Sequence, residues 1–279
     1  MFSKILCPID FGDFTSKQIS FAQGFARFQN ASITLLHVIE PDLAMYGYVS
    51  LRELDERLLE IAQNKMFPYS KAGFDTRILQ GSSVEEITKL AEKEQFDLII
   101  LPTHGYRGLK KIFLGSTFQG IINETNVCIL ALPHLLFQRE TLNFQKPKQI
   151  LCSIDTQRRS AKLCHISKRL AEAFHGTYSL MHSLDVKKEI TEFFNVIDVE
   201  DIENKVREEI LAENPCASSA QEVIIRRGSP AEQIHQCMEQ KSFDFLVLGF
   251  SHPSFKRLRT TLYRTVAAVD VPVLCIPVD

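Results

Sequence analysis

Short runs of aliphatic residues alternate along this chain with longer segments whose apolar positions recur every three or four residues. In the first half the runs fall at 5–9, 33–39, 76–80, 98–101 and 127–132, and they are rich in Val, Ile and Leu with little alternation. Such runs suit parallel strands covered on both faces, because a strand with one wet face would alternate apolar and polar residues. Between them, 16–29 carries Ile19, Ala22 and Ala26 at helical spacing, 51–66 carries Leu54, Leu58, Ile61 and Ala62, and 83–94 carries Val84, Ile87 and Ala91. Ser83, with Glu86 three residues later, has the form of a capping box. The alternation predicts right-handed crossovers and an open, doubly wound α/β sheet of five parallel strands in the order 3-2-1-4-5.

The pattern then repeats. KILCPIDF at 4–11 returns as KQILCSIDT at 148–156, LLHV at 35–38 as LMHS at 180–183, FDLIIL at 96–101 as FDFLVL at 243–248, and VCILALP at 127–133 as VPVLCIP at 271–277. An offset of about 145 residues is far longer than the period of a solenoid or propeller, so each copy is a complete domain. The expected boundaries are 1–134 and 149–279, with a linker at 135–148. Leu135, Leu136 and Phe137 make that linker too apolar for a free tether, and it is expected to pack along a domain surface. Two such copies can pack about a pseudo-twofold axis as an intramolecular pseudo-dimer, and one can keep a site that the other loses.

Composition narrows the function. The chain has 279 residues, 45% of them hydrophobic, and a formal net charge of −2, which gives no general attraction to nucleic acid or to an anionic membrane. No apolar run approaches the roughly 20 residues that span a bilayer, and the start lacks the long apolar core of an export signal, so a soluble cytoplasmic protein is expected. Cys7, Cys128, Cys152 and Cys275 sit in apolar runs and read as small buried hydrophobes. Cys164 beside His165, with Cys216 and Cys237, falls on helix or loop; a thiol metal site there is the less favoured reading, since no C-x-x-C pair is present.

In an open α/β sheet, ligands bind beyond the carboxyl ends of the strands, where the strand order reverses. The first run ends Pro8-Ile9-Asp10, and Asp10 either caps the helix that follows or accepts hydrogen bonds from a ligand. The fourth ends Leu101-Pro102-Thr103-His104-Gly105 and leads through Arg107, Lys110 and Lys111 to Gly115-Ser116-Thr117, a helix-start signal of glycine followed by two hydroxyls. Backbone N–H groups at such a terminus, with the hydroxyls, can cradle phosphate; the plainer reading is a glycine-rich loop with solvated cations. His37 and His182 occupy equivalent places in the second strands and read as strand-end histidines. His104 and His252 are better placed for a ligand but have no evident nucleophile or carboxylate partner, so no catalytic role is assigned.

At this point the chain resembles the universal stress protein family in its tandem-domain form. The resemblance rests on Pro8 and Asp10 at the end of the first strand, Val38 in the second, and Gly105 followed after nine residues by Gly115-Ser116. It implies two Rossmann-like domains of the adenine nucleotide alpha hydrolase type. It also implies that the first binds ATP, ADP or AMP, with or without Mg2+. The implied contacts are Pro8, Asp10 and Val38 toward the adenine side, Leu101, Pro102, Thr103 and His104 at the strand end, and Gly105, Gly115, Ser116 and Thr117 at the phosphates. Pro102 stands where the family signature has its first glycine, which removes an N–H and fixes φ. In the second half, Arg259-Thr260-Thr261 aligns with Gly115-Ser116-Thr117, so the phosphate loop is degenerate there.

The favoured expectation is therefore a stress-response regulatory protein whose nucleotide state alters its packing on a protein partner or on a second copy in a homodimer. It would be non-catalytic or a very slow ATPase. An ATPase or adenylyl-transferring enzyme is the alternative, and a ligand-free interaction protein is a third reading.

Overall fold

The computed structural model describes residues 1–40, 51–103, 114–155, 160–184, 199–251 and 256–278. The chain divides into two compact domains, Met1–Gln145 and Lys146–Asp279. The first builds β1 (Lys4–Pro8), α1 (Thr15–Gln29), β2 (Ser32–Ile39), α2 (Leu51–Lys71), β3 (Asp75–Gln80), α3 (Ser83–Lys93), β4 (Leu98–Pro102), α4 (Ser116–Glu124), β5 (Cys128–Leu132) and a short α5 (His134–Phe137). Its strands are parallel, in the order β3-β2-β1-β4-β5. The second builds β6 (Gln149–Ser153), α6 (Ser160–Phe174), β7 (Thr177–Leu184), α7 (Val199–Glu213), a 3-10 turn (Pro215–Ser219), β8 (Val223–Arg227), α8 (Pro230–Gln240), β9 (Phe245–Phe250), α9 (Lys256–Ala268) and β10 (Val273–Pro277). Its order, β8-β7-β6-β9-β10, is the same 3-2-1-4-5 winding that the sequence pattern predicts.

Continuous apolar runs become central strands because both faces are covered. Ile5, Leu6 and Cys7 of β1 and Leu98, Ile99 and Ile100 of β4 have no exposed surface, and α1 lays Ile19, Phe21, Ala22, Phe25 and Ala26 into the core. The repeated Phe-Asp dipeptide has a matching physical role in the two domains. The Asp97 carboxylate accepts the N–H groups of Ser3 (2.7 Å) and Lys4 (2.9 Å), and Asp244 accepts those of Lys148 (2.9 Å) and Gln149 (3.0 Å). Each carboxylate satisfies the backbone donors that lead into the neighbouring strand. Partial burial alone would raise the pKa of Asp97, but the hydrogen bonds from Ser3 and Lys4 outweigh it and hold the group below the usual carboxylate range.

Two local expectations are corrected. The capping box at Ser83 and Glu86 does not form. Ser82 is the N-cap residue, without a side-chain cap, and the Ser83 N–H donates instead to Oε1 of Glu40 at 2.8 Å. A carboxylate from the end of β2 thus does what the local motif was read to do. Helix α2 also continues past 66 to Lys71 through Pro68. Pro68 is exposed, so the Asn64 carbonyl deprived of its N–H can turn to water, and Pro68 O still accepts the Ala72 N–H at 3.0 Å.

The segment after β5 packs on the first domain. Leu136, Phe137 and Leu142 are buried, and Lys17 Nζ donates to the carbonyls of Phe137 (3.0 Å) and Arg139 (2.6 Å). The Phe144 ring meets Phe21 and Phe25 edge-on at 5.5 and 5.2 Å. Gly24 makes room for it: a Cβ there would lie 2.8 Å from Cβ of Phe144.

Candidate functional site

Strand β1 pairs with β2 over five register positions, Lys4↔Ser32 to Pro8↔Leu36, and β4 pairs with β5 over five, Leu98↔Cys128 to Pro102↔Leu132. Between β1 and β4 only Ile5↔Leu98 and Leu6↔Ile99 are paired. Beyond them the strands part, and a crevice opens at the carboxyl ends where the winding reverses. Gln18 of α1 fills its throat. Its buried Nε2 donates to Pro8 O at 2.7 Å and Ile100 O at 3.2 Å, taking up the carbonyls that the parting strands leave behind. The sequence signal for this residue was present: Gln18 shares helical spacing with Ala22 and Phe25, a polar group on an apolar stripe.

The rim begins at Pro8, half-buried at the end of β1. Asp10 is exposed, and its Oδ1 accepts the Gly12 N–H at 2.8 Å and the Thr15 hydroxyl at 3.3 Å. One carboxylate oxygen therefore shapes the turn into α1. Phe11 sits in the left-handed region at φ 58° and lays its ring 4.4 Å from that of His37. His37 Nδ1 donates to Ile9 O at 2.9 Å. Burial pushes the His37 pKa below its ordinary value against the opposing pull of that carbonyl, and the ring acts as a strand-end clip. His182 repeats the contact in the second domain, with Nδ1 3.1 Å from Ile154 O. Val38 is half-buried near the end of β2, opposite Leu79.

At the end of β4, Leu101 and Thr103 are buried and Pro102 is half-buried. The Thr103 N–H donates to Leu132 O at 3.0 Å, toward β5. Successive N–H groups of a strand point to opposite sides, so the N–H that Pro102 lacks would face β1, where the strands have already parted. The proline costs the sheet no ladder bond and takes one backbone donor from the crevice. Thr103 O accepts the Gly115 N–H at 2.7 Å, which draws the start of α4 to the end of β4. Gly115 is the N-cap residue of α4, with extended backbone (φ −60°, ψ 147°) and no side-chain cap, and Ser116 and Thr117 occupy the first turn. His104 and Gly105 lie outside the described residues. The other expected residues, Pro8, Asp10, Val38, Leu101, Pro102, Thr103, Gly115, Ser116 and Thr117, all fall on the carboxyl side of the sheet.

The second domain treats the same place differently. Leu163 of α6 stands where Gln18 stands in α1, and Gly249 where Pro102 stands in β4. A Cβ on Gly249 would lie 3.1 Å from both Leu163 Cδ1 and Val278 Cγ2, so apolar side chains crowd this strand end. A cavity of about 140 Å³ remains, rimmed by Ser153, Asp155, Ser160, His182 and Thr261. Asp155 Oδ1 accepts the Ser160 hydroxyl at 2.7 Å. Helix α9 starts at Lys256, so Thr260 and Thr261 lie inside it and their N–H groups are used by the carbonyls four residues back. In α4, which starts at Ser116, the aligned N–H groups belong to the unsatisfied first turn.

Among the described residues, no three His, Cys, Asp or Glu side chains are grouped to hold a metal ion, and no helix is long and apolar enough to cross a membrane.

The sequence pattern of the universal stress protein family matches residues 1–133 and again 146–277. A universal stress protein of Methanocaldococcus jannaschii is 32% identical over 154 residues, which cover 47% of this chain and 95% of that protein. One from Thermus aquaticus is 29% identical over 134 residues, covering 47% of this chain and 98% of that protein. The crystal structure of a universal stress protein from Archaeoglobus fulgidus superposes with a TM-score of 0.68 at 19% identity, covering 98% of this chain and 96% of that one, and so shares the fold. With the family pattern matched twice over nearly its whole length, this chain belongs to the universal stress protein family.

Proposed function

We propose that the first domain binds an adenine nucleotide (ATP, ADP or AMP) across the carboxyl ends of β1, β2 and β4, and that the protein acts as a nucleotide-dependent regulator. The observation that carries this reading is the contrast in helix starts: α4 begins at Ser116 with its first-turn N–H groups unclaimed by the helix, whereas α9 has absorbed the equivalent residues. A helix N-terminus beside two hydroxyls is suited to phosphate, and Gly115 lets a ligand approach the backbone. The adenine would lie toward Asp10 and Val38, the ribose toward Pro102 and Thr103, and the phosphates on Gly105, Gly115, Ser116 and Thr117, with His104 in the same loop. The surface formed with the bound nucleotide would be read by a protein partner or by a second copy of the chain.

Hydrolysis needs a positioned water and, as a rule, a metal held near the phosphates. The start of α4 offers hydroxyls and backbone donors but no carboxylate, and Asp10 is engaged with Gly12 and Thr15. The start of α4 would supply magnesium with hydroxyls at most, and turnover falls well below the roughly 1 to 1000 per second of ordinary enzymes. Native mass spectrometry and ATP titration calorimetry on the full chain test the proposal, with about one nucleotide per chain expected. No retained nucleotide and no binding heat would reject it, and turnover within the ordinary range would favour an enzyme.

A further inference from the structure

Of the seven cysteines, only Cys128 and Cys216 are not fully buried, and Cys216 sits in a setting that the nucleotide site does not use. The 3-10 turn Pro215–Ser219 carries it. Tyr178 at the start of β7 holds that turn in place, donating to the Cys216 carbonyl and lying 2.7 Å from Ser219 Oγ. Cys216 is thereby fixed over α6. Its Sγ is 3.9 Å from Nδ1 of exposed His165, and its thiol acts electrostatically on that of Cys164, the wholly buried residue just before His165 on the same helix. The three residues form a path from solvent inward: an imidazole at the surface, a half-buried thiol, then a buried one.

We propose that Cys216 and Cys164 are a reversible thiol pair that responds to hydroperoxides. The half-buried Cys216 sulfur attacks the peroxide; an S–O bond forms, the O–O bond breaks, and the peroxide is reduced to an alcohol, or to water from hydrogen peroxide. The resulting sulfenic acid is the electrophile for Cys164. The Cys164 sulfur displaces its oxygen, an S–S bond forms, and the oxygen leaves as water with the thiol proton. His165 Nδ1 is the nearest base to the Cys216 thiol and can accept its proton in the first step. Burial pushes the Cys164 thiol up to about 12, so in the reduced protein it stays protonated and does not itself attack peroxide. Together with His165 the two thiols do not make a metal site, since no group of three such ligands is assembled among the described residues. Closing the bond would tie the 3-10 turn to α6 and with it the connection from α7 to β8.

The test uses the full chain, treated with a few equivalents of hydrogen peroxide near neutral pH, then alkylated under denaturing conditions and digested without reductant. The wild type should lose two of its seven titratable thiols, yield a Cys164–Cys216 linked peptide, and regain both thiols with dithiothreitol. Cys164→Ser should stop at a Cys216 sulfenic acid that dimedone traps, and Cys216→Ser should leave its remaining thiols free at the same dose. The proposal is overturned if all seven thiols persist in the wild type, if the linked peptides join Cys128 of two molecules instead, or if Cys216 is oxidised beyond the sulfenic acid while Cys164 stays free.

Discussion

Where β1 and β4 part, Gln18 sends an amide into the gap and bridges the Pro8 and Ile100 carbonyls; in the second domain Leu163 takes the place of Gln18, and Gly249 leaves room for it and for Val278. The residue at the end of the fourth strand runs against expectation in both domains. The first carries a proline where the family signature has glycine, and the second keeps the glycine beside an apolar plug. What distinguishes the two crevices is the polarity of the residue from the first helix and the place where the helix after the fourth strand begins.

The largest effect should come from the helix start. Gly115→Arg is expected to weaken nucleotide binding at least about 100-fold, equivalent to about 2.7 kcal/mol. Arg259→Gly should leave the stoichiometry near one, because α9 has already begun at Lys256. Titration calorimetry on both variants checks this, and a second site gained in Arg259→Gly would break the comparison.

Exchanging the throat residues comes next. Gln18→Leu removes the donor shared by two carbonyls and should destabilise the first domain by about 2–3 kcal/mol, read from the shift of its urea unfolding transition. An unchanged transition would mean that water replaces the amide and that the throat is wetter than its burial indicates. Pro102→Gly sharpens the contrast more gently. If the restored N–H faces the crevice, it adds one hydrogen bond to a ligand, about 0.5–1.5 kcal/mol, and tightens binding by up to about tenfold. Equal affinity in the two proteins would show that the donor points elsewhere.

The smallest effect concerns the repeated Phe-Asp clamp. Because the folded-state pKa of Asp97 lies below its ordinary value, the clamp's stabilisation is present above pH about 4 and is lost as the pH falls toward the folded value. Asp97→Asn should flatten that part of the acid limb of stability, measured by thermal unfolding between pH 3 and 6 in steps of about 0.5. An acid limb identical to the wild type would assign it to other carboxylates.

The central strands were legible because both of their faces are buried, which writes continuous apolar runs into the chain, and the duplication repeats four of the five runs, leaving out the partly exposed edge run at 76–80. Pro8, Asp10 and Gly115-Ser116 were singled out through the resemblance to the family motif, and the structure puts them at strand and helix ends on the carboxyl side of the sheet. What escaped depends on contacts distant in sequence. The Ser83 N–H finds Glu40, 43 positions earlier, and not the nearby Glu86 of the expected capping box. Gln18 could be seen as a polar residue on an apolar stripe, but that it joins β1 to β4 depends on where those strands separate. The early start of α9 was equally hidden, because alignment with the first domain placed Arg259-Thr260-Thr261 at a cap where the backbone has already made a turn of helix.

The Phe144 contact bears on where the gene can be divided. The family pattern stops at residue 133 in the first copy, which invites a stop codon there. A fragment ended at that point would lose Leu136, Phe137 and Leu142 from its core and uncover Phe21 and Phe25 beside Gly24. Lys17 would lose the two carbonyls that hold it. A fragment carried through Gln145 keeps its own cover, and expression of the two lengths side by side should give soluble protein from the longer and aggregates from the shorter.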